Sequence, residues 1–202
     1  ALKLTRERGR LMYRAGEENP GGMLAIIGAA ESAVHEICAE SGMAISNINA
    51  PGQIVISGID ADMAKAKQIA QTRGIRRIVQ LNVSGPFHSR WMQPACDGLE
   101  IQIHKTAFLA PGRPVISNVS ATPLTKAEEI ITDLVQQMIK PVQWQRSVEN
   151  MIADGVNTFV EIGHGQVLTG LIKRINPEIQ IFTIGDTEIE KQVQYLLDYV
   201  NS

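Results

Sequence analysis

The chain contains few aromatic residues, few cysteines and no excess charge of one sign. Aromatic residues make up 4% of its 202 residues, and 19 basic residues stand against 21 acidic ones. The formal net charge of -2 gives general nucleic-acid binding little electrostatic support. Two cysteines, Cys38 and Cys96, are too few for a disulfide scaffold and indicate a reducing compartment. No apolar run approaches the roughly 20 residues of a membrane span, so we expect a cytoplasmic protein.

Several motifs that would identify a chemistry are missing from the sequence. It has no CxxC or HExxH pattern for a metal and no GxGxxG or Walker loop for a nucleotide. It also has no G-x-S-x-G elbow, the usual site of a nucleophilic serine on an α/β sheet. The chain opens on ALKLTRERGRLM, an amphipathic helical pattern with neither a cap nor an initiator Met. We therefore expect the chain to be a fragment.

A compact pattern of strands and helices fills residues 21–84. Apolar or alternating segments at 23–27, 44–49, 53–58 and 76–83 are typical of strands. Helical spacing follows the first and third strands, with Gly42 and Gly74 predicted to end the helices and Asp60 to cap the second. The resulting β-α-β-β-α-β order predicts a ferredoxin-like subdomain whose ends lie close together.

The remainder of the chain alternates strands with helices, which favours a parallel sheet covered on both faces. The predicted strands lie at 114–120, 158–163 and 179–184, and the predicted helices at 89–104, 126–139, 145–154, 166–175 and 187–200. Three parallel strands make a thin sheet, so we expect part of this domain to lie outside the chain. The predicted fold class is α/β.

His88 is the sharpest candidate for chemistry. It follows a Gly-Pro pair after the predicted strand 76–83 and precedes a helix, and the positive end of a helix dipole disfavours a charged imidazole. A neutral ring there can accept a proton near pH 7, or it can simply cap the helix. His164 lies in another loop between a strand and a helix and can border the same cleft. The polar surroundings of His35 and His104 indicate surface positions.

Four further polar residues are candidates, each with an ordinary structural alternative. Arg8 lies on the first helix, where arginines usually face solvent. Asn49 and Asn118 end predicted strands, where asparagine commonly bonds the local backbone. Gln137 lies four residues before Pro141, which has no N–H to donate, so the Gln137 carbonyl lacks its usual helical partner.

Four separated segments occur together, in this order along the chain: NAPGQIVISG at 49–58, GPFHS at 85–89, PVQW at 141–144 and VLTGLI at 167–172. With them the sequence resembles the malonyl-CoA:acyl carrier protein transacylases and the acyltransferase domains of polyketide synthases, over essentially all 202 residues. The resemblance implies an α/β-hydrolase-like domain, here partial, with an inserted ferredoxin-like subdomain. On this interpretation residues 1–20 and 85–202 form the acyltransferase core and residues 21–84 form the insertion.

The resemblance also implies roles for individual residues. His88 would be the general base and then the general acid, oriented by the Gln137 backbone carbonyl. Arg8, in the segment RGRLM, would pair with the malonyl carboxylate, because a guanidinium offers two parallel donors. Phe87 would narrow the pocket at the α-carbon of the acyl group. Asn49 and Asn118 are expected to bind substrate together with these residues.

The implied reaction moves malonyl from malonyl-CoA to the thiol of acyl carrier protein in fatty acid biosynthesis, through a malonyl-serine ester. The family places that serine upstream of the segment matching Arg8, so it would lie outside this chain. No metal or redox cofactor is implied, and the pantetheine arm would arrive on the carrier protein. Lys173 and Arg174 are candidates for contact with that acidic partner. A polyketide acyltransferase with another extender unit and a non-catalytic carrier-binding module remain alternatives.

Overall fold

The computed structural model describes residues 1–185 and 188–200, and it divides the chain into two compact units, Ala1–Ser147 and Val148–Ser202. The first unit holds most of the helices and strands. They are α1 (Leu2–Glu18), β1 (Gly21–Ile27), α2 (Glu31–Ser41), β2 (Ala44–Ala50), β3 (Gln53–Ile59), α3 (Asp60–Thr72), β4 (Arg77–Gln80), a 3-10 turn (Arg90–Met92), α4 (Gln93–His104), β5 (Val115–Ile116), β6 (Pro123–Leu124) and α5 (Ala127–Gln136). The next helix, α6 (Trp144–Ala153), crosses the boundary between the units.

Strands β1 to β4 form one antiparallel sheet in the order β2-β3-β1-β4. One face of the sheet presents Leu24, Ile26, Ile54 and Ile56 to helices α2 and α3, and together these make the main apolar core of the region. The strands form here because apolar residues alternate between the two faces. Gly42 ends α2 in the left-handed conformation at φ 90°, as the sequence predicts.

A second apolar core joins the helices α1, α4 and α5. Its buried residues include Met12 and Ala15 on α1 and Leu99 and Ile103 on α4. Burial of such side chains stabilises a fold by roughly 1.5–3 kcal/mol for each large residue. This packing holds α1 against α4 and thereby sets the positions of the side chains on α1, including Arg8.

The second unit contains a parallel strand pair. Its elements after α6 are β7 (Thr158–Ile162), α7 (Val167–Ile175), β8 (Gln180–Ile184) and α8 (Ile189–Val200). β7 pairs with β8 in parallel from Thr158–Gln180 to Ile162–Ile184. Residue 187, where the last helix is predicted to begin, lies outside the described residues.

The predicted strand at 114–120 is too long, and its place in a parallel sheet is wrong. Only Val115–Ile116 is extended, and it pairs antiparallel with Pro123–Leu124. The strand stops because the buried Ser117 hydroxyl accepts the backbone N–H groups of Val119 and Ser120 and so forms a turn. Among the described residues, the parallel sheet therefore has two strands rather than three.

Smaller differences concern helix starts and the division of the chain. Ile59, not Asp60, is the residue before α3, and no side chain caps that helix. The predicted helix 89–104 begins with the 3-10 turn.

The two compact units differ from the predicted division into 1–20 with 85–202 and 21–84, which stays a prediction. No helix in the described part of the chain has the length and apolar character needed to cross a membrane.

Candidate functional site

His88 lies in a strained turn of the first unit. Its φ is 57°, in the left-handed region that residues other than glycine rarely adopt. Two bonds close the turn: the Phe87 N–H donates to the Gly85 carbonyl at 3.0 Å, and the buried Ser89 hydroxyl donates to the Pro86 carbonyl at 2.5 Å. Strain of this kind costs on the order of 1–3 kcal/mol and persists only where the surroundings hold it. The role of Ser89 was missed at the level of sequence.

The His88 ring is oriented by a backbone carbonyl. Its Nδ1 lies 2.7 Å from the Gln137 carbonyl oxygen, the contact that the sequence predicts. That carbonyl is available because helix α5 ends at Gln136 and Pro141 has no N–H to bond it. Since a carbonyl can only accept, Nδ1 donates and Nε2 keeps its lone pair. The imidazole is therefore held in the tautomer that can take a proton at Nε2.

Burial and charge both keep this ring neutral. Burial lowers the pKa of His88 below its ordinary value, and the positive charge of Arg8 lowers it further. The backbone carbonyls of Gln137 and Lys140 act in the opposite direction without reversing the shift. The Lys140 carbonyl was not anticipated from sequence. A neutral, oriented imidazole is the form that a general base requires.

Arg8 is half-buried on α1, one turn before the buried Met12 and therefore on the inner side of the helix. Burial lowers the pKa of its guanidinium. No carboxylate within the described residues pairs with it, whereas the neighbouring Arg10 is exposed and forms an ion pair with Glu7 at 2.6 Å. A partly desolvated guanidinium without an anion is able to take one from a substrate.

Two glycines bring the helix of Arg8 against the loop of His88. A Cβ at Gly16 would lie 2.3 Å from the Ser84 carbonyl oxygen, and one at Gly85 would lie 3.0 Å from the Gly16 Cα. Any side chain at Gly16 would push α1 away from the loop that leads to His88. Neither contact can be inferred from composition or spacing, because the two glycines are far apart in the chain.

Phe87 joins two apolar clusters. Its partly buried ring packs against the α1–α4 core and also against a smaller cluster of Met23, Ala25 and Val55 on the sheet. The ring thus lies where the four-stranded sheet meets the helices, next to His88 in the chain. Its predicted role as a wall of the acyl pocket stays a prediction.

Asn49 and Asn118 have different surroundings from the other candidates. Asn49 lies at an irregularity of β2, between Ile48 and Ala50. Asn118 lies in the turn after β5, and its backbone carbonyl accepts the Gln143 N–H at 2.7 Å. Within the described part of the chain, no hydrogen bond joins either side-chain amide to His88 or Arg8, so their predicted substrate contacts stay predictions.

The segment 141–143 joins the turn of Asn118 to the edge of β2. Val142 donates its N–H to the Ser46 carbonyl at 2.8 Å and accepts the Ile48 N–H at 2.9 Å. Asn47 thereby pairs with Val142 in a parallel bridge at the edge of β2. Sequence reasoning missed this bridge, since nothing in the PVQW motif indicates which strand it meets.

Lys173, Arg174 and His164 belong to the second unit. The Lys173 ammonium donates to the carbonyls of Pro177 at 3.1 Å and Ile179 at 2.6 Å, so it closes the end of its own helix. His164 is exposed between Gly163 and Gly165, both at positive φ. The predicted partner contact of Lys173 and Arg174 stays a prediction.

The second unit also contains a carboxylate that sequence reasoning missed. Glu161, on β7, accepts the backbone N–H groups of Leu168 at 3.0 Å and Thr169 at 2.8 Å at the start of α7. Burial raises the pKa of Glu161, but these bonds outweigh it and leave that pKa below its ordinary value. Over residues 1–185 and 188–200, no group of three His, Cys, Asp or Glu residues could hold a metal ion.

Comparison with known proteins gives consistent matches. The acyl transferase domain family matches residues 1–187. A curated relative, the malonyl CoA-acyl carrier protein transacylase of Bacillus subtilis, is 38% identical over 202 residues, which cover 97% of this chain and 64% of the relative. The matched region spans between 58% and 64% of the length of such curated relatives.

Solved structures of malonyl transacylases are also similar to this chain. The malonyl CoA-acyl carrier protein transacylase of Clostridium perfringens superposes with a TM-score of 0.92 at 34% identity, covering 98% of this chain and 64% of that one. A malonyl-transacylase in complex with a type II PKS acyl-carrier protein superposes with a TM-score of 0.90 at 34% identity, covering 97% of this chain and 64% of that one.

Proposed function

The chain belongs to the acyl transferase domain family, and from that membership we propose that it is part of a malonyl-CoA:acyl carrier protein transacylase of fatty acid biosynthesis. The observation that carries the proposal is the neutral His88 ring, with Nδ1 bonded to the Gln137 carbonyl and the unpaired charge of Arg8 close enough to lower its pKa. The His88 imidazole is able to accept a proton, and the Arg8 guanidinium is able to bind a carboxylate. Malonyl thioesters present a carboxylate beside the reacting carbonyl.

In this proposal His88 moves the protons of both half-reactions. Nε2 takes the proton of a serine hydroxyl as that oxygen attacks the malonyl thioester carbonyl, and it gives the proton to the departing coenzyme A thiol. In the second half-reaction Nε2 takes the proton of the carrier thiol and returns it to the serine oxygen. The serine is placed outside the chain, since the 202 residues contain no G-x-S-x-G elbow.

Arg8 would select the substrate in the same reaction. The malonyl carboxylate would accept two N–H bonds from the guanidinium, which fixes the acyl group as well as neutralising its charge. Phe87 would bound the α-carbon, and Asn49 and Asn118 would contribute polar contacts. The proposal includes no metal or redox cofactor, and its substrates are malonyl-CoA and an acyl carrier protein that supplies the pantetheine arm.

The proposal also covers the finer description of the fold. The β-α-β-β-α-β order and the antiparallel order β2-β3-β1-β4 support a ferredoxin-like subdomain at residues 21–84. The four strands of that region pair with one another. The parallel β7–β8 pair supports a hydrolase-like sheet, to which the part of the protein outside this chain would add strands.

The test uses the protein made from the complete coding sequence that contains this chain. With radiolabelled malonyl-CoA and holo acyl carrier protein, we expect label to move to the carrier and, before carrier is added, to a single serine of the enzyme. Apo carrier protein, which lacks the thiol, is the control and should stay unlabelled. Absence of label on both enzyme and holo carrier would overturn the proposal in favour of a non-catalytic module.

A second donor distinguishes the pathway alternative. The structural similarity to a malonyl-transacylase bound to a PKS carrier makes a polyketide acyltransferase the natural rival. Methylmalonyl-CoA in the same assay should transfer far more slowly than malonyl-CoA. Equal transfer from both donors would favour an acyltransferase for another extender unit.

A further inference from the structure

The helical hydrogen bonds at the end of α5 stop at Pro141. The Gln137 N–H still donates to the Asp133 carbonyl at 2.8 Å. The same four-residue spacing recurs at Lys140, whose N–H donates to the Gln136 carbonyl at 2.9 Å. The next donor in this series would be the N–H of residue 141, and its acceptor would be the Gln137 carbonyl. Because proline has no N–H, the helix leaves that carbonyl without a donor.

The turn that carries this carbonyl is held in the apolar core. Met138 is fully buried, and Ile139 packs against the same cluster of α1 and α4 residues. The Gln137 carbonyl is therefore fixed by a packed turn where it accepts a hydrogen bond from Nδ1 of His88, at 2.7 Å.

After Pro141 the chain departs from the direction of α5 and bonds two other segments. The backbone N–H and carbonyl of Val142 both bond the edge strand β2, at 2.8 and 2.9 Å, and the Gln143 N–H donates to the Asn118 carbonyl at 2.7 Å. A longer α5 could not make these bonds. Proline favours the same departure, because its ring clashes with the carbonyl four residues earlier in a continuing helix and disfavours helical backbone in the residue before it.

We propose that Pro141 is a positioning residue for His88, which reserves the Gln137 carbonyl for Nδ1 by withholding a competing N–H and by directing the chain onto β2. This rests on the proposed function, in which Nε2 must keep its lone pair. An N–H at position 141 would give the carbonyl a second donor from its own helix and weaken its hold on Nδ1. The neutral ring would then carry its proton on Nε2 for part of the time, and in that form it cannot act as the base.

The test places proline, glycine and alanine in turn at position 141 of the complete protein. Pro141→Ala and Pro141→Gly both introduce an N–H and both remove the proline ring, but glycine favours a helix roughly fivefold less than alanine does. Pro141→Ala should lower kcat for malonyl transfer about tenfold, the loss of roughly one hydrogen bond, and Pro141→Gly should lower it less. KM for malonyl-CoA should change little, because neither variant removes a proposed substrate contact.

The tautomer of His88 is the readout that a merely structural role would not change. With ¹⁵N-labelled histidine, at a pH above the ordinary histidine pKa of about 6.5, NMR of the unsubstituted protein should show His88 protonated at Nδ1 and not at Nε2. The spectrum of His88→Ala assigns these signals. In Pro141→Ala both signals should shift toward those of a mixture of tautomers, and in Pro141→Gly the shift should be smaller.

Pro94→Ala is the matched control. Pro94 lies in the first turn of α4, where the N–H groups of a helix have no carbonyl to bond within it. This variant should therefore change neither the tautomer of His88 nor kcat.

Two results would overturn the proposal. An equal or larger loss of kcat in Pro141→Gly would mean that Pro141 acts through the stiffness of the chain alone. An identical His88 tautomer in all three proteins would mean that the Gln137 carbonyl needs no such protection. Should Pro141→Ala not fold, Pro141→Gly is compared with the unsubstituted protein, and an unchanged tautomer again overturns the proposal. If the unsubstituted protein transfers no malonyl, the proposed function fails, whereas the role of Pro141 is still decided by the tautomer.

Discussion

Two turns of the first unit share a left-handed residue and a buried serine, but they differ in the side chain that the left-handed residue carries. His88 and Ala121 both adopt left-handed backbone, at φ 57° and 59°. Each turn is held by a buried serine: Ser89 bonds the Pro86 carbonyl, and Ser117 accepts two backbone N–H groups and bonds Asp133. At one turn an imidazole meets a free carbonyl, and at the other a methyl group is buried. Backbone strain alone therefore does not identify a functional site. The chemistry of the side chain and its hydrogen-bond partner does.

The largest expected effect separates the two turns by activity. In the complete protein His88→Ala should lower kcat/KM for malonyl transfer at least 10²-fold, since proton transfer contributes about 10²–10⁴. Ala121→Gly, the matched change at the other turn, should keep transfer within about twofold. Steady-state transfer assays with malonyl-CoA measure both. Near-normal turnover of His88→Ala would remove the distinction between the turns and the assignment of the base.

The second test concerns the charge that faces the His88 turn. Arg8→Ala should weaken malonyl transfer by about 2–5 kcal/mol, the usual loss for one member of a buried charge pair. Acetyl transfer should fall little or rise, because acetyl carries no carboxylate. Arg10→Ala removes an exposed arginine from the same helix and serves as the control. Equal losses for both acyl groups would show that Arg8 has a structural role.

The third test compares the two serines. Ser117→Ala removes three hydrogen bonds from the Ala121 turn and should lower the free energy of unfolding by about 2–3 kcal/mol, whereas Ser89→Ala removes one and should cost about 1 kcal/mol. Transfer should show the reverse order, falling more for Ser89→Ala because the His88 backbone loses its support. Chemical denaturation and transfer assays on the same preparations supply the two readouts. A larger activity loss in Ser117→Ala would contradict the comparison.

The smallest expected effect is a shift in pH dependence. Because the pKa of His88 is lowered by burial and by Arg8, the acid limb of kcat/KM should lie below the ordinary histidine value of about 6.5. With acetyl-CoA as donor, Arg8→Ala should move this limb upward and Arg10→Ala should not. An unmoved limb in Arg8→Ala would mean that the charge does not act on the ring.

The same shift has a consequence for folding. The unfolded chain binds the His88 proton more readily than the folded chain does, so this contribution to stability is complete above the unfolded pKa and is lost as the pH falls through the folded one. Unfolding measured across that interval should therefore show a pH dependence that His88→Ala removes. The Ala121 turn, which has no titrating ring, should contribute none.

Much of this molecule follows from its sequence alone. The strands and helices of residues 21–84, the left-handed end of α2 at Gly42 and the free carbonyl of Gln137 were all predictable, because each depends on side-chain periodicity or on backbone chemistry within a few residues. The segment around His88 and the segments at 49–58, 141–144 and 167–172 likewise indicated the family, because they occur together in one chain. Local rules sufficed wherever the deciding interaction was local.

Only the tertiary structure decided the remainder. The strand predicted at 114–120 gave way to the turn held by Ser117, whose hydroxyl also bonds Asp133 sixteen residues away. The approach of Gly16 to Ser84 and the bridge from Asn47 to Val142 each join segments that are distant in sequence. Such contacts depend on how separate helices, strands and loops pack in space. The spacing of residues along one element does not indicate which other element it will contact.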